Sequence, residues 1–230
     1  AIAVRESGRD KVSEAFKILR TNMGFMSGGD KQQVILTTSS NAHAGKTFVS
    51  MNLGMTLAFS GNKVLMVDLD LRRRTLSKHM GQRSNPNGVT KYLSSADVSI
   101  NSIISNSGLH ENFDFIYAGL QPPNPAELLM SKRLDALFEE CRKHYDYIII
   151  DCPPSLGLIT ANALTLADSF IVPIQCEYYA LEGLTQLMMT IRKVKELYNP
   201  KLSVLGILVT MLNSRLNLSS QVLAELKKYY

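Results

Sequence analysis

The chain has 230 residues, 45% hydrophobic and 20% charged, with a net charge of +5. These are the values of a soluble globular protein with one substantial core, and a single domain over 1–230 is expected; the mild basicity permits a polyanionic partner such as nucleic acid or an anionic membrane surface without demanding one. There is no run of about 18 apolar residues and no apolar leader, so a cytoplasmic protein is expected, and Cys141, Cys152 and Cys176, odd in number and without CxxC spacing, read as reduced thiols and not as metal ligands.

Residues 1–10 are polar and irregular. From Lys11 to Met26, Val12, Ala15, Phe16, Leu19 and Met23 recur on one helical face, with Glu14, Lys17 and Arg20 on the charged one, either a solvated face or a subunit contact. Val34-Ile35-Leu36 reads as a buried strand, 37–47 as a loop, and Thr47 to Ser60 as a helix whose first N–H groups point at an anion. Gly45-Lys46-Thr47 supply what a bound triphosphate needs: a backbone without Cβ, an ammonium for the β- and γ-phosphates, and a hydroxyl for Mg²⁺. A strict GxxxxGK[ST] loop has glycine where this chain has Ser40, so only the GKT end is present.

Lys63 to Val67 is a second apolar run, ending in Asp68-Leu69-Asp70-Leu71-Arg72. Continuous apolar strands alternating with amphipathic helices indicate a doubly wound, mostly parallel α/β sheet, and acidic residues at the carboxyl ends of its strands face the ligand crevice. Asp68 and Asp70 are therefore placed near a metal, a water or an attacking group. Short helical pieces are expected over 88–93 and 99–104, a strand over 113–117, and one helix from Pro125 to about Lys143 capped by Asn124. Glu127, Glu139 and Glu140 on that helix read as surface. Tyr145 to Asp151 is a third apolar strand ending in aspartate, stiffened by Pro153-Pro154, and Asp151 there is placed to hold Mg²⁺ through a water. Helices near 161–166, 181–197 and 219–230 and strands over 169–174 and 204–210 complete the alternation.

Three features in the order GKT, DxDxR and DxPP, each after a predicted strand, resemble the deviant-Walker branch of the P-loop ATPases, which includes bacterial tyrosine kinases, ParA-type partition ATPases and MinD-type proteins. From about Val12 to Pro154 the likeness is to the cytoplasmic domain of the bacterial tyrosine kinases of polysaccharide export. Glu14-Ala15-Phe16-Lys17-Ile18-Leu19-Arg20 is similar to that family's ExxRxxR oligomerisation helix, with Lys17 for the first arginine; Val67 to Arg72 matches its second Walker motif, and Pro122 to Leu129 with Ser131-Lys132-Arg133 its PPNPxELL…SKR stretch. From Asp151 onward, Asp151 to Leu158, Gln175 to Gly183 and Thr210 to Arg215 resemble a ParA/Soj-type partition ATPase. The chain thus reads as an oligomerisation helix (1–26), a kinase-like nucleotide-binding part (27–154) and a ParA-like part (155–230).

The resemblance implies ATP or ADP with Mg²⁺ as cofactors. It places Asn41, Ala42, His43, Ala44, Gly45, Lys46, Thr47 and Phe48 around the phosphates, with Asn213 at the adenine. Thr47, Asp68, Asp70 and Asp151 go to the metal, and Lys46, Asp68, Asp70 and Asp151 to the chemistry, Asp68 nearest the attacking hydroxyl. Arg72 to Arg74 are candidates for phosphate or acceptor contacts, a solvated basic turn being the alternative. The favoured expectation is a tyrosine autokinase acting between subunits of a homo-oligomer, with Tyr229 and Tyr230 as acceptors and a membrane-bound activator at the cytoplasmic face of the inner membrane. The alternatives are a ParA-type ATPase binding DNA through Arg192, Lys193, Lys195 and Arg215, and a catalytically weak nucleotide-binding scaffold. The kinase family has Pro-Gly where this chain has Ala42-His43, and the partition family has its signature lysine at Asn41. A non-glycine residue at positive φ costs on the order of 1–2 kcal/mol, so His43 is expected to remodel or weaken phosphate binding.

Overall fold

The computed structural model describes residues 2–26, 32–154, 157–177, 179–212, 215 and 217–229. In chain order the elements are α1 (Lys11–Met26), β1 (Val34–Thr37), α2 (Lys46–Ala58), β2 (Val64–Asp68), α3 (Thr75–His79), α4 (Val89–Ser94), a 3₁₀ turn (Ile100–Ser102), β3 (Ile104–Asn106) and β4 (Phe113–Ile116). There follow α5 (Pro125–Leu128), α6 (Lys132–His144), β5 (Tyr147–Asp151), α7 (Leu158–Leu166), β6 (Ser169–Gln175), α8 (Ala180–Leu197), β7 (Ser203–Thr210) and α9 (Asn217–Tyr229).

Among the described residues the sheet runs β3-β4-β2-β5-β1-β6-β7, parallel throughout except for β3 against β4. Alternate strand residues enter opposite layers. Val34, Leu36, Leu65, Val67, Ile148 and Ile150 pack under α6, α7 and α8 against Leu134, Leu137, Leu164 and Leu187. Ile35, Met66, Ile149, Phe113 and Phe115 pack on the other face against Val49, Leu53 and Leu57 of α2 and Phe16 and Met23 of α1. With both faces covered, the central strands β1, β2 and β5 are continuously apolar up to their last residue, as the sequence pattern requires. β5 is the middle strand, and its last residue, Asp151, is level with Thr37 of β1 on one side and with Asp68 of β2 on the other. This register gathers the phosphate loop and the strand-end carboxylates at one edge.

Two expectations are corrected. The helix expected from Pro125 to Lys143 is broken at Ser131, whose extended backbone starts α6 afresh and whose Oγ accepts from Arg133 N at 3.2 Å. Asn124 makes no side-chain cap bond and donates instead to Glu127 Oε2 at 3.0 Å. The stretch 99–104 gives one 3₁₀ turn and leads into β3, a short antiparallel edge strand without an apolar pattern.

Residues the sequence resemblance assigns to subunit contact are used within this chain. Lys17 Nζ donates to Gly8 O at 2.7 Å and pairs with Glu14 at 2.9 Å, and Arg20 Nη1 donates to Thr56 O at 3.3 Å and to Ser60 Oγ. Arg133 lies over the Tyr92 ring at 4.3 Å and donates to Tyr92 O and Val98 O, so this part of the kinase-like stretch pins α6 to α4. No helix among the described residues is long and apolar enough to cross a membrane.

Candidate functional site

The loop between β1 and α2 turns twice through left-handed backbone, at His43 (φ 63°) and Gly45 (φ 93°). Glycine is at home there, whereas histidine carries the cost expected of it. Gly45 sits above Thr210, 3.5 Å from its Cγ2 measured from an added Cβ, and Thr210 Oγ1 donates to Ala44 O at 2.9 Å. The end of β7 thus props the crest of the loop. Lys46 opens α2 with its side chain folded back, Nζ donating to Ser39 Oγ at 2.8 Å and Asn41 O at 3.3 Å. Burial lowers the affinity of its ammonium for its proton, and the Asp151 charge opposes that.

A cavity of about 250 Å³ opens beside this loop, lined by His43, Lys46, Thr47, Asp70, Arg73 and Asp151 among others. Thr47 Oγ1 donates to Asp151 Oδ2 at 2.6 Å, while the buried Asp151 Oδ1 has no partner. An unpaired carboxylate oxygen beside a hydroxyl and a second carboxylate is an all-oxygen donor set, which suits Mg²⁺. Asp70 is held at the cavity wall by Arg73 N at 2.9 Å and Thr75 Oγ1 at 3.3 Å.

Asp68 does not line this cavity. It is fully buried, its Oδ1 accepting from Asp70 N at 3.1 Å and its Oδ2 from Ser77 N at 3.0 Å and Ser77 Oγ at 2.7 Å. The expectation that Asp68 stands nearest the attacking group is therefore corrected. β2 ends at Asp68 and the chain turns, so the carboxylate that reaches the cavity is Asp70. Asp68 fixes the turn and the start of α3.

Burial, reinforced by the Asp151 charge, raises Asp68 to about 7, and burial raises Asp151 to about 7 as well. A carboxyl that holds its proton in the fold and loses it at about 3.8 when unfolded makes stability fall as pH rises between those values. Asp68→Asn keeps the shape without the charge. The Mg²⁺-free variant gives up one acceptor for a backbone N–H and is expected to start below wild type near pH 4, then to gain on it steadily up to about pH 7, by on the order of 2 kcal/mol. Urea denaturation across that range measures the difference, and one that is flat or moves against the variant with rising pH contradicts the assignment.

Of the remaining expected residues, Ala42 and Phe48 line the cavity, whereas Asn41 lies on the loop's other side with Ser39, Ser40 and Ala180. Arg73 reaches the cavity, but Arg74 Nη1 is spent on Arg83 O and Gly119 O. Asn213 and Tyr230 lie outside the described residues, as does the side chain of Tyr229. Sequence reasoning missed Ser39, Thr75, Ser77, His79 and Thr210. Only Ser39, inside the expected loop 37–47, and Thr210, ending a predicted strand, carried a signal.

Residues 32–204 match the AAA domain family AAA_31. The chain belongs to it. This AAA-family member is 41% identical over 207 residues to the sporulation initiation inhibitor protein Soj of Bacillus subtilis, covering 86% of this chain and 80% of that protein. It is 40% identical over 156 residues to a putative tyrosine-protein kinase in the cps region of Klebsiella pneumoniae, covering 68% of this chain and 21% of that protein. Among solved structures it superposes on cobyrinic acid a,c-diamide synthase from Mycobacterium smegmatis with bound ATP analog and magnesium, with TM-score 0.75 and 31% identity over 86% of this chain and 80% of that one. Fold and relatives agree on a P-loop ATPase of the ParA, MinD and bacterial tyrosine-kinase type, and the Soj likeness favours the partition alternative over the kinase expectation.

Proposed function

We propose that this chain is a ParA-type partition ATPase, a nucleotide-switched homodimer that hydrolyses Mg²⁺-ATP and binds DNA without sequence preference. The observation that carries this reading is the reach of the likeness to Soj along this chain, 86% of it, against 68% for the kinase relative. The inward use of Lys17, Arg20 and Arg133 supports it, since the residues that suggested a kinase are accounted for by packing.

In the proposed mechanism the N–H groups at the start of α2 face the phosphates. Lys46 leaves Ser39 and Asn41 to meet the β- and γ-oxygens. Thr47 and Asp151 would hold Mg²⁺, which would supply neutralisation of charge developing on the phosphates. Asp70 orients the attacking water, and the surrounding protein excludes other water. A mainly apolar cavity of about 870 Å³, bordered by Phe16, Gly45, Phe48, Thr210 and Met211, accommodates the base.

Arg192, Lys193 and Lys195 are exposed on α8, and Arg215 is exposed after β7. Replacing the three α8 residues by alanine is expected to weaken binding to duplexes of unrelated sequence alike and to lower the slope of log K against log salt by about 1 for each phosphate that is no longer neutralised. Intrinsic ATP turnover is expected to persist. Filter binding at a series of salt concentrations measures this, and a wild-type chain that ignores DNA, or a variant with the wild-type slope, contradicts the DNA assignment.

A further inference from the structure

Ser40 stands where a strict phosphate loop has glycine, and its side chain needs room. That room lies on α8. Gly183 is in the first turns of this helix, its N–H bonded to Tyr179 O at 3.1 Å in the ordinary helical manner. Glycine inside a helix costs about 1 kcal/mol relative to alanine, and nothing in the backbone here asks for it. The reason is spatial. A Cβ added at Gly183 would lie 2.5 Å from Ser40 Oγ, 2.9 Å from Ser40 Cβ and 3.5 Å from Asn41 Oδ1. The helix has little freedom to retreat, because Ala180, Leu184 and Leu187 are buried in the core beneath it. The strain would fall on the loop, where the neighbours of Ser40 hold the lysine: Ser39 Oγ donates to Asn41 O at 2.7 Å, and both oxygens accept from Lys46.

We propose that Gly183 is a positioning residue for the phosphate loop: its missing side chain accommodates Ser40 and so sets where Asn41 and Lys46 stand. A serine in place of the usual loop glycine is thereby matched by a glycine on the helix packed against it. The proposal rests on the nucleotide-binding reading above and assigns Gly183 no contact with nucleotide.

The test compares wild type, Gly183→Ala and the double variant Ser40→Gly/Gly183→Ala for binding of a fluorescent N-methylanthraniloyl-ADP with Mg²⁺, alongside thermal melting of each. Gly183→Ala is expected to bind about tenfold more weakly while melting only slightly below wild type, since the helix propensity gained with alanine offsets much of the loop strain. The double variant is expected to recover most of the affinity. Wild-type affinity in Gly183→Ala overturns the proposal, and so does a loss that Ser40→Gly fails to restore or one that follows the melting temperature. A wild-type chain that binds no nucleotide overturns the nucleotide reading itself, and this proposal with it.

Discussion

Lys46→Ala is expected to reduce ATP turnover by at least about 100-fold, the scale on which a charge-stabilising group at a transferring phosphoryl acts. Lys46 lines the cavity with Asp70 and Asp151, and the Asp151 carboxylate is the strongest charge acting on it. Its removal leaves carboxylates facing an incoming polyphosphate without their cation, so affinity should fall together with the chemical step. Phosphate release at saturating Mg²⁺-ATP and nucleotide binding, measured separately, give both effects. Turnover within about threefold of wild type would remove Lys46 from the phosphates.

Asp70→Ala is expected to separate binding from chemistry. Nucleotide affinity should stay within about threefold of wild type while turnover falls about 100-fold, because in the proposed mechanism Asp70 orients the attacking water while Thr47 and Asp151 remain to hold the metal. The contrast with Asp68 sharpens this. Asp68 is enclosed by Ser77 and the Asp70 N–H, and its replacement by asparagine is expected to leave more turnover than Asp70→Ala does. Single-turnover hydrolysis of both variants decides between them. If Asp68→Asn stops hydrolysis and Asp70→Ala does not, the carboxylate at the water is the other one.

Much of this architecture is legible in the sequence. The apolar spacing from Lys11 to Met26 corresponds to α1 residue for residue, and the strands ending at Asp68 and Asp151 lie side by side in register, as a parallel sheet with a ligand crevice requires. What escapes depends on pairings distant in sequence or on single backbone angles. Asp68 and Asp70 look equivalent in DxDxR, and only the end of β2 decides which one meets the cavity. The break at Ser131 interrupts a run that otherwise keeps helical spacing, and β3 has no pattern because it is a short edge strand paired on one side. Local motifs alone do not decide between kinase and partition ATPase: Arg20 and Arg133 fit the kinase pattern, yet both are spent on backbone carbonyls of this chain. The fit of Gly183 to Ser40, between residues far apart in the sequence, becomes visible only once α8 is laid against the loop.

The central claim, ATP hydrolysis in place of tyrosine phosphorylation, is tested most directly by incubating the chain with γ-labelled ATP and Mg²⁺, with and without duplex DNA, and measuring free phosphate and protein-bound label beside Lys46→Ala. The partition-ATPase account predicts free phosphate that depends on Lys46 and rises with DNA, and no label retained on the protein. Label on tyrosine that disappears in Lys46→Ala would contradict it and restore the kinase.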